Sequence, residues 1–583
     1  MLWTSLFLAA ALGAGDRARE SGELRVHELG ALLVPGRSEL ALQFAPCRGG
    51  PDAAPGEETC FDAGIVIELV RSLCAPEFEF EGRRLEEREG RLFVVAPAPV
   101  QEKVARLLGF LAGALGTQVE LCLEELVLGE VAAKDPPLLL GPDEAQRLAA
   151  TALQRRSFVL GTRPGWIASG GNTRPTSILG SWSVEIAQAA AIHDPVVEAV
   201  PLGAQYGAAA AGAAGGAWIS LLARSAESSG PKDHPLEFAS ALAAELGSLP
   251  NPRGGAPSTR TSGRSDQPGP RLWQSLPLGL HALAVNSFLP DGKVLCLAST
   301  LGAGDDRTTH LLLVRRLGRV GAPAASFSFD EKAPGRDLVL VDTGWISPPL
   351  AEVYGELAAG GALPMIESEQ GPLAARLRVP QAGLAHDLLG ASGGLDCFDS
   401  ASWLVLARSA RPVEGSGIDS ALARLTRCAP EALGFGVALH LRHGANSVAR
   451  GTLALRLGAE SLFACGAEDE LLFDWDVEVA QGASTAQPQV HTSFEGLCAR
   501  VRVERDATGT LRLALKAFGQ VRAAELRNLD PQVATIGAIT LPSWERLRLD
   551  ERVTLPAQGP RRAVFGDAGG QGLVLELEIT DLR

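Results

Sequence analysis

The chain has 583 residues, a formal net charge of −15, 46% hydrophobic residues and only 5% aromatic residues. At roughly 150 residues per domain, this length predicts about three or four domains. The negative charge repels a phosphate backbone and no Lys/Arg run forms a basic stripe, which argues against nucleic-acid binding. Beyond the N-terminus, no apolar segment reaches the roughly 18 residues of a transmembrane helix, so none is predicted.

The N-terminal segment, residues 1–18, reads MLWTSLFLAAALGAGDRA. Its apolar stretch is too short to span a bilayer but has the length of a signal-peptide core. Ala11-Leu12-Gly13 offers small residues for a cleavage site, although no Lys or Arg precedes the apolar stretch. The segment therefore predicts export to the periplasm or outer membrane, with a buried N-terminal helix as the alternative.

Residues 23–130 have the pattern of a compact α+β module. Apolar residues at helical spacing predict helices in 62–74 and 99–116, and Pro99 suits a helix start. Residues 24–34 are predicted to be a strand that enters a short helix. Further strands are predicted at Phe78–Phe80, Leu92–Val95 and Val119–Leu128, which gives the order βαββαβ.

LFVVAPAPVQEKVARLLGFL, residues 92–111, resembles the strand–helix segment of the ring-building domains of secretins. The resemblance implies a KH-like fold that packs side by side into rings. KH domains that bind RNA use a GXXG loop between two helices. Gly113–Gly116 fits those letters but lies between a helix and a strand, so the sequence favours protein contacts over RNA.

Two segments that begin 293 residues apart align without a gap: SWSVEIAQAAAIHDPVVEAVPLG, residues 181–203, and DWDVEVAQGASTAQPQVHTSFEG, residues 474–496. Nine of the 23 positions are identical. A match this dense indicates an internal repeat. We predict a shared structural motif of five aligned pairs: Trp182 with Trp475, Glu185 with Glu478, Gln188 with Gln481, Pro195 with Pro488, and Gly203 with Gly496.

The repeat extends downstream into segments in which apolar and polar residues alternate, which predicts antiparallel sheet. Copy one covers residues 135–316, with a flexible insert at 250–270, and copy two covers residues 420–583. In copy two, the turn Asp506–Gly509 is predicted to join two strands as a hairpin.

The DWDVEVAQG block, the hairpin after it and the following strands resemble the core domain of secretins in their order. The sequence thus predicts an α+β fold, with a KH-like βαββαβ module followed by two β-rich secretin-core-like units. Two departures stand out. The Pro/Gly-rich gate segment of secretins is not located, and residues 204–217 are an Ala/Gly run that predicts a weak strand.

Residues 338–420 lie between the copies and contain two apparent strands, Leu338–Ile346 and Ser402–Ala410. We interpret this stretch as a degenerate α+β module of the same ring-building type.

Three patterns could carry chemistry, and each has a simpler interpretation. Ser392 lies in a G-x-S-x-G sequence, but no strand precedes it and no helix follows it. His440 and His443 would share a face only on a helix, whereas their segment alternates like a strand. Asp474, Asp476 and Glu478 could line one strand face for calcium, but copy one has Ser181 and Ser183 at the first two positions. No P-loop or G-x-G-x-x-G sequence is present, and neither a metal site nor a cofactor is predicted.

Nine cysteines are present, and no C-x-x-C pair occurs. Export would permit a disulfide bond between Cys47 and Cys60, but sequence alone cannot assign the pairing. Cys74 and Cys122 are predicted to pack as small apolar residues.

These observations favour a non-catalytic envelope protein that resembles secretins. Its expected partners are copies of itself or another envelope protein, with outer-membrane association left open. A monomeric periplasmic binding module that has lost ring assembly is the alternative, and a serine hydrolase that uses Ser392 is the minor one.

Overall fold

The structure is a computed structural model, and most of the residues that it describes form β-strands. The described residues are 22–30, 32–33, 35–36, 39–43, 58–59, 62–74, 78, 83–115, 119–129, 136–163, 166–187, 190–213, 215–235, 272–302, 308–318, 324–329, 337–342, 374–378, 395–400, 403–408, 418, 434–480, 483–505, 508–528, 540–556, 561–566 and 572–582. The predicted signal peptide, the flexible insert, Ser392, Cys47 and Cys60 lie outside these residues.

The elements fall into three stretches of the chain. The first contains β1 (Glu23–Glu28), β2 (Pro35–Gly36), β3 (Glu39–Gln43), β4 (Glu58–Thr59), α1 (Ala63–Cys74), β5 (Arg84–Arg88), β6 (Arg91–Ala96) and α2 (Ala98–Leu115). The second contains β7 (Val119–Leu128), β8 (Leu139–Leu140), α3 (Pro142–Ala150), β9 (Gln154–Thr162), β10 (Ala168–Ala187), β11 (Ala190–Ala213), β12 (Gly216–Glu227), β13 (Lys232–Pro235), β14 (Leu272–Ser275), β15 (Leu278–Pro290), β16 (Val294–Leu301) and β17 (Thr308–Leu317). The third contains β18 (Ala324–Phe327), β19 (Leu338–Asp342), β20 (Ala374–Arg378), β21 (Leu395–Ser400), β22 (Trp403–Arg408), β23 (Gly434–His443), β24 (Asn446–Arg456), β25 (Glu460–Ala480), β26 (Ala483–Arg505), β27 (Leu511–Asn528), β28 (Thr540–Thr554), β29 (Arg561–Gly566) and β30 (Leu573–Leu582).

The N-terminal module consists of an antiparallel sheet with strand order β1-β6-β5 and the two helices α1 and α2. Both helices bury one apolar face, and β6 buries alternate residues against them. Of the strand predicted at Phe78–Phe80, only Phe78 is among the described residues, and it does not lie in a strand. The strand that pairs with β6 is β5. Sequence analysis missed β5 because it is a charged edge strand in which only Leu85 is buried.

β7 corrects the predicted order βαββαβ. It pairs with β9 and β17 in the large sheet, so it does not close the N-terminal module. Buried residues run along nearly its whole length, which is typical of a strand covered on both faces. Leu121 and Leu123 face the main core, while Leu126 and Leu128 pack in a smaller cluster that includes the Ala145 and Ala149 side chains of α3.

The stretch between the two copies packs onto the N-terminal module. Strands β18, β19, β22 and β21 form a four-stranded sheet, and β20 pairs with β3. Leu340 on β19 and Val405 on β22 are fully buried in the same apolar cluster as Leu69 of α1 and Leu107 of α2. The two stretches therefore share one core, whereas the sequence suggested a second module of its own.

This shared core makes a testable prediction. Replacing Leu340 by alanine should cost about 2–5 kcal/mol, because it opens a cavity beneath helices that lie far away in sequence. Amide exchange measured by mass spectrometry should then accelerate in α1 and α2. Val26 is 47% exposed on β1, so Val26→Ala is the matched control and should leave both helices protected.

The large sheet contains 17 strands arranged as two runs of eight, with β8 added at β16. The first layer has the order β10-β11-β12-β15-β25-β26-β27-β28. The second layer has the order β9-β7-β17-β16-β24-β23-β30-β29. The largest apolar cluster draws side chains from both layers, so the main core lies between them.

The Ala/Gly run forms a strand after all. The second half of β11 pairs with β12 without interruption as far as Ala213, and Ala204, Ala208 and Ala210 are buried in the main core. Sequence analysis predicted a weak strand because small residues bury little surface. Neighbouring strands on both sides supply the pairing and packing that this segment lacks on its own.

Among the described residues, no helix has the length and apolarity needed to cross a membrane.

Candidate assembly site

The two repeated segments form two long hairpins, β10–β11 and β25–β26. Trp182 lies opposite Pro195, and at the aligned positions Trp475 lies opposite Pro488. Both hairpins have a register shift immediately before this pair, between Leu179 and Ser181 in the first and between Leu472 and Asp474 in the second. The aligned positions of the two copies therefore have the same strand partners and the same bulge.

The remaining motif positions follow the same pairing. Glu185 lies opposite Ile192, and Glu478 lies opposite Thr485. Gln188 and Gln481 lie outside the described residues.

The two motif glycines occupy equivalent close approaches between strands. Gly203 faces Thr173 with φ of 108°, and Gly496 faces Gly466 with φ of 148°. A Cβ on Gly203 would lie 2.1 Å from the carbonyl oxygen of Asn172, and one on Gly496 would lie 2.2 Å from that of Cys465. Only glycine fits this backbone without strain, which accounts for its presence in both copies.

The two copies join head to tail in the first layer. β15 is the last strand that copy one contributes to this layer. It pairs antiparallel with β25, which is the first strand that copy two contributes to the same layer. This joint, which we call the internal joint, runs over seven residue pairs from Leu278–Glu468 to Ala284–Leu462. Copy one therefore binds copy two through two different edges, as in a heterologous interface between subunits.

The second layer repeats this connection. β16 of copy one pairs with β24 of copy two through Ser299–Gly451, Thr300–Arg450 and Leu301–Ala449. The Thr452 hydroxyl also accepts a hydrogen bond of 2.8 Å from the backbone N–H of Ala298. Both layers thus continue from one copy into the next in the same direction.

The strands at the outer ends of the two layers have one neighbour each among the residues that the structure describes. In the first layer these are β10, which pairs with β11, and β28, which pairs with β27. In the second layer they are β9 and β29. Residues 171–175 of β10 are all exposed. Such edges present backbone donors and acceptors that can pair with another chain.

A row of polar side chains crosses the second layer near the internal joint. Arg156 of β9 lies opposite Glu125 of β7, and His310 of β17 lies opposite Ser299 of β16. Arg156 Nη1 is 3.2 Å from Glu125 Oε2, and His310 Nδ1 is 3.6 Å from Glu125 Oε1. Four adjacent strands therefore present polar groups to an otherwise apolar core.

Side chains of the first layer meet this row from the other side. The Tyr206 hydroxyl donates a hydrogen bond of 3.2 Å to Glu125 Oε2. Glu227 Oε1 lies 3.1 Å from Arg156 Nη2, which places the guanidinium between two carboxylates. Glu125 is only 5% exposed, so this pairing compensates a charge that burial would otherwise disfavour.

Two histidines complete the arrangement at the joint. The rings of His281 and His310 stack with centroids 3.8 Å apart. His281 Nδ1 is 2.8 Å from the Ser299 hydroxyl and 3.6 Å from Sγ of Cys465, which belongs to copy two. We call the whole set the polar belt: Glu125, Arg156, Tyr206, Glu227, His281, Ser299 and His310.

Burial sets the ionisation of the belt. It lowers the pKa of His281 well below the ordinary value of 6.5, and the neighbouring His310 lowers it further. Burial alone would raise the pKa of Glu125, but His310, Ser225 and Arg156 outweigh it, so the pKa of Glu125 is lowered. Burial and the nearby Glu125 carboxylate raise the pKa of Tyr206. The belt therefore contains an ionised carboxylate, Glu125, and a histidine that resists protonation, His281.

Copy two replaces two members of this belt by apolar residues. The gapless repeat places Ala499 where copy one has Tyr206, and strand register places Leu547 where copy one has His281. The inner faces of β23 and β30 contribute apolar residues such as Leu439 and Leu577 to the main core. Tyr206 and His281 are thus specific to copy one and its joint with copy two.

Sequence analysis did not identify the polar belt. A signal was present, because Glu125, His281 and His310 each interrupt an apolar strand sequence: VELCLEELVL, LGLHALAV and THLLLV. The strands that bring them together are separated by up to 185 residues, and only their pairing shows that the interruptions meet.

The other candidates do not converge on one site. His440 contacts Ser447, with 3.0 Å between Nε2 and Oγ, whereas His443 contacts Glu545, with 3.1 Å between Nε2 and Oε2. Among the described residues, no group of three or more His, Cys, Asp or Glu could hold a metal ion. The expected packing of Cys74 and Cys122 is confirmed, since both are free and buried. Burial raises the pKa of Cys74 to about 11.

Comparison with known proteins gives limited information. No protein-family model matches the chain, and no curated protein matches it. Among solved structures, it is similar to the InvG secretin domain of the Salmonella SPI-1 injectisome, at 14% identity over 52% of this chain and 90% of that chain, with a TM-score of 0.23. It is also similar to the Klebsiella pneumoniae type II secretion system outer membrane complex of PulD, PulS and the PulC HR domain, at 9% identity over 47% of this chain and 68% of that chain, with a TM-score of 0.16. TM-scores this low do not establish a shared fold.

Proposed function

We propose that this chain is an exported, non-catalytic envelope protein, secretin-like in its repeated unit, that builds an assembly from copies of itself. The observation that carries the proposal is the head-to-tail connection of the two copies in both layers. A unit that binds a second unit of the same fold through two different edges leaves one edge of each kind unused at the ends. Such heterologous contacts propagate into rings or filaments.

The sequence supports the same proposal. The segment at residues 92–111 resembles the ring-building domains of secretins, and the repeated block resembles their core domain. The energy for assembly would come from apolar burial and β-pairing, without bond chemistry. Another envelope protein could bind the same edge strands by adding a strand to the end of either layer.

The test is the mass of the full chain, extracted from the envelope fraction in mild detergent. We expect multiples of the monomer mass, which is 60.9 kDa for the full sequence and lower once the predicted signal peptide is removed. These multimers should persist on dilution and be captured by an amine-reactive crosslinker. A soluble monomer at every concentration, with no crosslinked species, would favour the monomeric periplasmic binding module instead.

The hydrolase alternative has its own test. Replacing Ser392 by alanine should change neither assembly nor any background ester hydrolysis, because we assign no catalytic role to this serine. Hydrolysis of p-nitrophenyl esters of several chain lengths is the measurement. An activity that is present in the parent protein and lost in Ser392→Ala would overturn the non-catalytic assignment.

A further inference from the structure

The internal joint defines a register that can be transferred to the ends of the first layer. The two long hairpins have the same pairing, so residues of β25 correspond to residues of β10 that lie 293 positions earlier. Ala467 therefore corresponds to Arg174, and Gly466 corresponds to Thr173. Gly203 pairs with Ala226 and Gly496 pairs with Gln520, which makes Ala226 equivalent to Gln520.

The correspondence between the copies extends from β12 and β27 to the next strands of the layer, β15 and β28. Ala226 pairs with Leu280 on β15, while Gln520 pairs with Arg546 on β28. Leu280 therefore corresponds to Arg546, and its neighbour Gly279 corresponds to Glu545. In the internal joint, Gly279 lies opposite Ala467.

We propose that β28 of one chain pairs antiparallel with β10 of a second copy in the register of the internal joint, with Glu545 opposite Arg174. This inference rests on the proposed self-assembly and specifies its interface. The seven expected pairs are Trp544–Pro175, Glu545–Arg174, Arg546–Thr173, Leu547–Asn172, Arg548–Gly171, Leu549–Gly170 and Asp550–Ser169.

Side-chain chemistry at the two edges agrees with this register. Glu545 and Arg174 bring opposite charges face to face, which stabilises a cross-strand pair. Glu545 already contacts His443 of the second layer, so its carboxylate is held near the end of the sheet. Pro175 has no N–H to donate, but it falls in the last pair of the joint, where a missing hydrogen bond disrupts the ladder least.

Burial supports the orientation of β28. Leu547 and Leu549 lie on the same face as Glu545 and pack against the main core, as Leu283 does at the position equivalent to Leu549. The corresponding β10 positions are Asn172 and Gly170. Pairing in this register would therefore continue the core-facing side of the first layer into the next chain.

The experiment is disulfide crosslinking of the full chain in mild detergent. The variant Glu545→Cys with Arg174→Cys should give a ladder of covalent multimers on mild oxidation, because directly opposite residues meet the distance requirement of a disulfide bond. The matched control is Glu545→Cys with Thr173→Cys. A one-residue shift turns the second thiol to the other face, so the control should give no more crosslinking than each single variant.

A charge exchange provides a second readout. Glu545→Arg or Arg174→Glu alone should weaken self-association by about three- to tenfold, and the double exchange should restore it. The mass of the unoxidised parent protein separates the two proposals. A multimer that crosslinks equally at both registers, or is not rescued by the exchange, overturns this interface alone. A parent protein that is monomeric overturns the proposed function and this interface with it.

Discussion

Replacing Gly496 by alanine should lower the free energy of unfolding of the second long hairpin by about 3–5 kcal/mol. The new Cβ would lie 2.2 Å from the carbonyl oxygen of Cys465 and 2.4 Å from Cα of Gly466, both of which are backbone atoms. The φ of 148° adds strain for any residue with a side chain. The two strands must therefore separate at this position.

Gly203→Ala should have an effect of the same size in the first hairpin, because its Cβ would lie 2.1 Å from the carbonyl oxygen of Asn172. Amide exchange across each hairpin is the measurement, since it resolves local opening in a chain with several folding units. Gly109→Ala is the control. It lies in α2 with nothing within 4 Å of its Cβ, so alanine should be neutral or stabilising there. A cost below about 1 kcal/mol at either motif glycine would contradict equivalent close approaches in the two copies.

Acidification should open the internal joint of the parent protein, and His281→Leu should remove most of that sensitivity. Burial lowers the pKa of His281 in the folded state, so the unfolded state binds the proton more tightly. The contribution of neutral His281 to folding stability is therefore fully present above its unfolded-state pKa of about 6.5. This contribution is lost as the pH falls below that value.

The geometry explains why His281 cannot easily accept a proton. Its described neighbours are the Ser299 hydroxyl, the Cys465 thiol and the stacked ring of His310, and none of these carries a negative charge. Leucine is the residue that copy two places at the equivalent position, Leu547, so the variant keeps an apolar side chain of a type that this fold accommodates.

Thermal unfolding and amide exchange in β15 and β25, measured between pH 8 and pH 5, test this prediction. We expect the Tm of the parent protein to fall by about 4 °C or more between pH 8 and pH 5, and the Tm of His281→Leu to fall clearly less. His440→Gln is the control, because this histidine is only partly buried and lies on β23, which does not belong to the internal joint. It should leave amide exchange in β15 and β25 as in the parent protein. A His281→Leu profile that parallels the parent profile would contradict the assignment. The lowered pKa of Glu125 should add a second loss of stability below about pH 4.5.

The amino-acid sequence determined the parts of this protein that depend on local pattern. Helical periodicity placed α1 and α2 within one or two residues of their observed ends. Alternation of apolar and polar residues in copy two predicted strands on both sides of Asp506–Gly509, and β26 and β27 are the strands that the structure contains there. Identity between the repeated segments aligned Trp182 with Trp475 and Pro195 with Pro488, and the structure places each Trp opposite the Pro of its own copy.

Only the tertiary structure decided how these elements combine. β7 follows the N-terminal module in sequence, yet it belongs to the large sheet because pairing with β9 and β17 buries both of its faces. β11 is a strand despite its Ala/Gly run because its neighbours provide the hydrogen bonds and the core. The polar belt, the shared N-terminal core and the internal joint all consist of contacts between residues distant in sequence. Periodicity reports which face of a strand is buried, but it does not report which strand lies beside it.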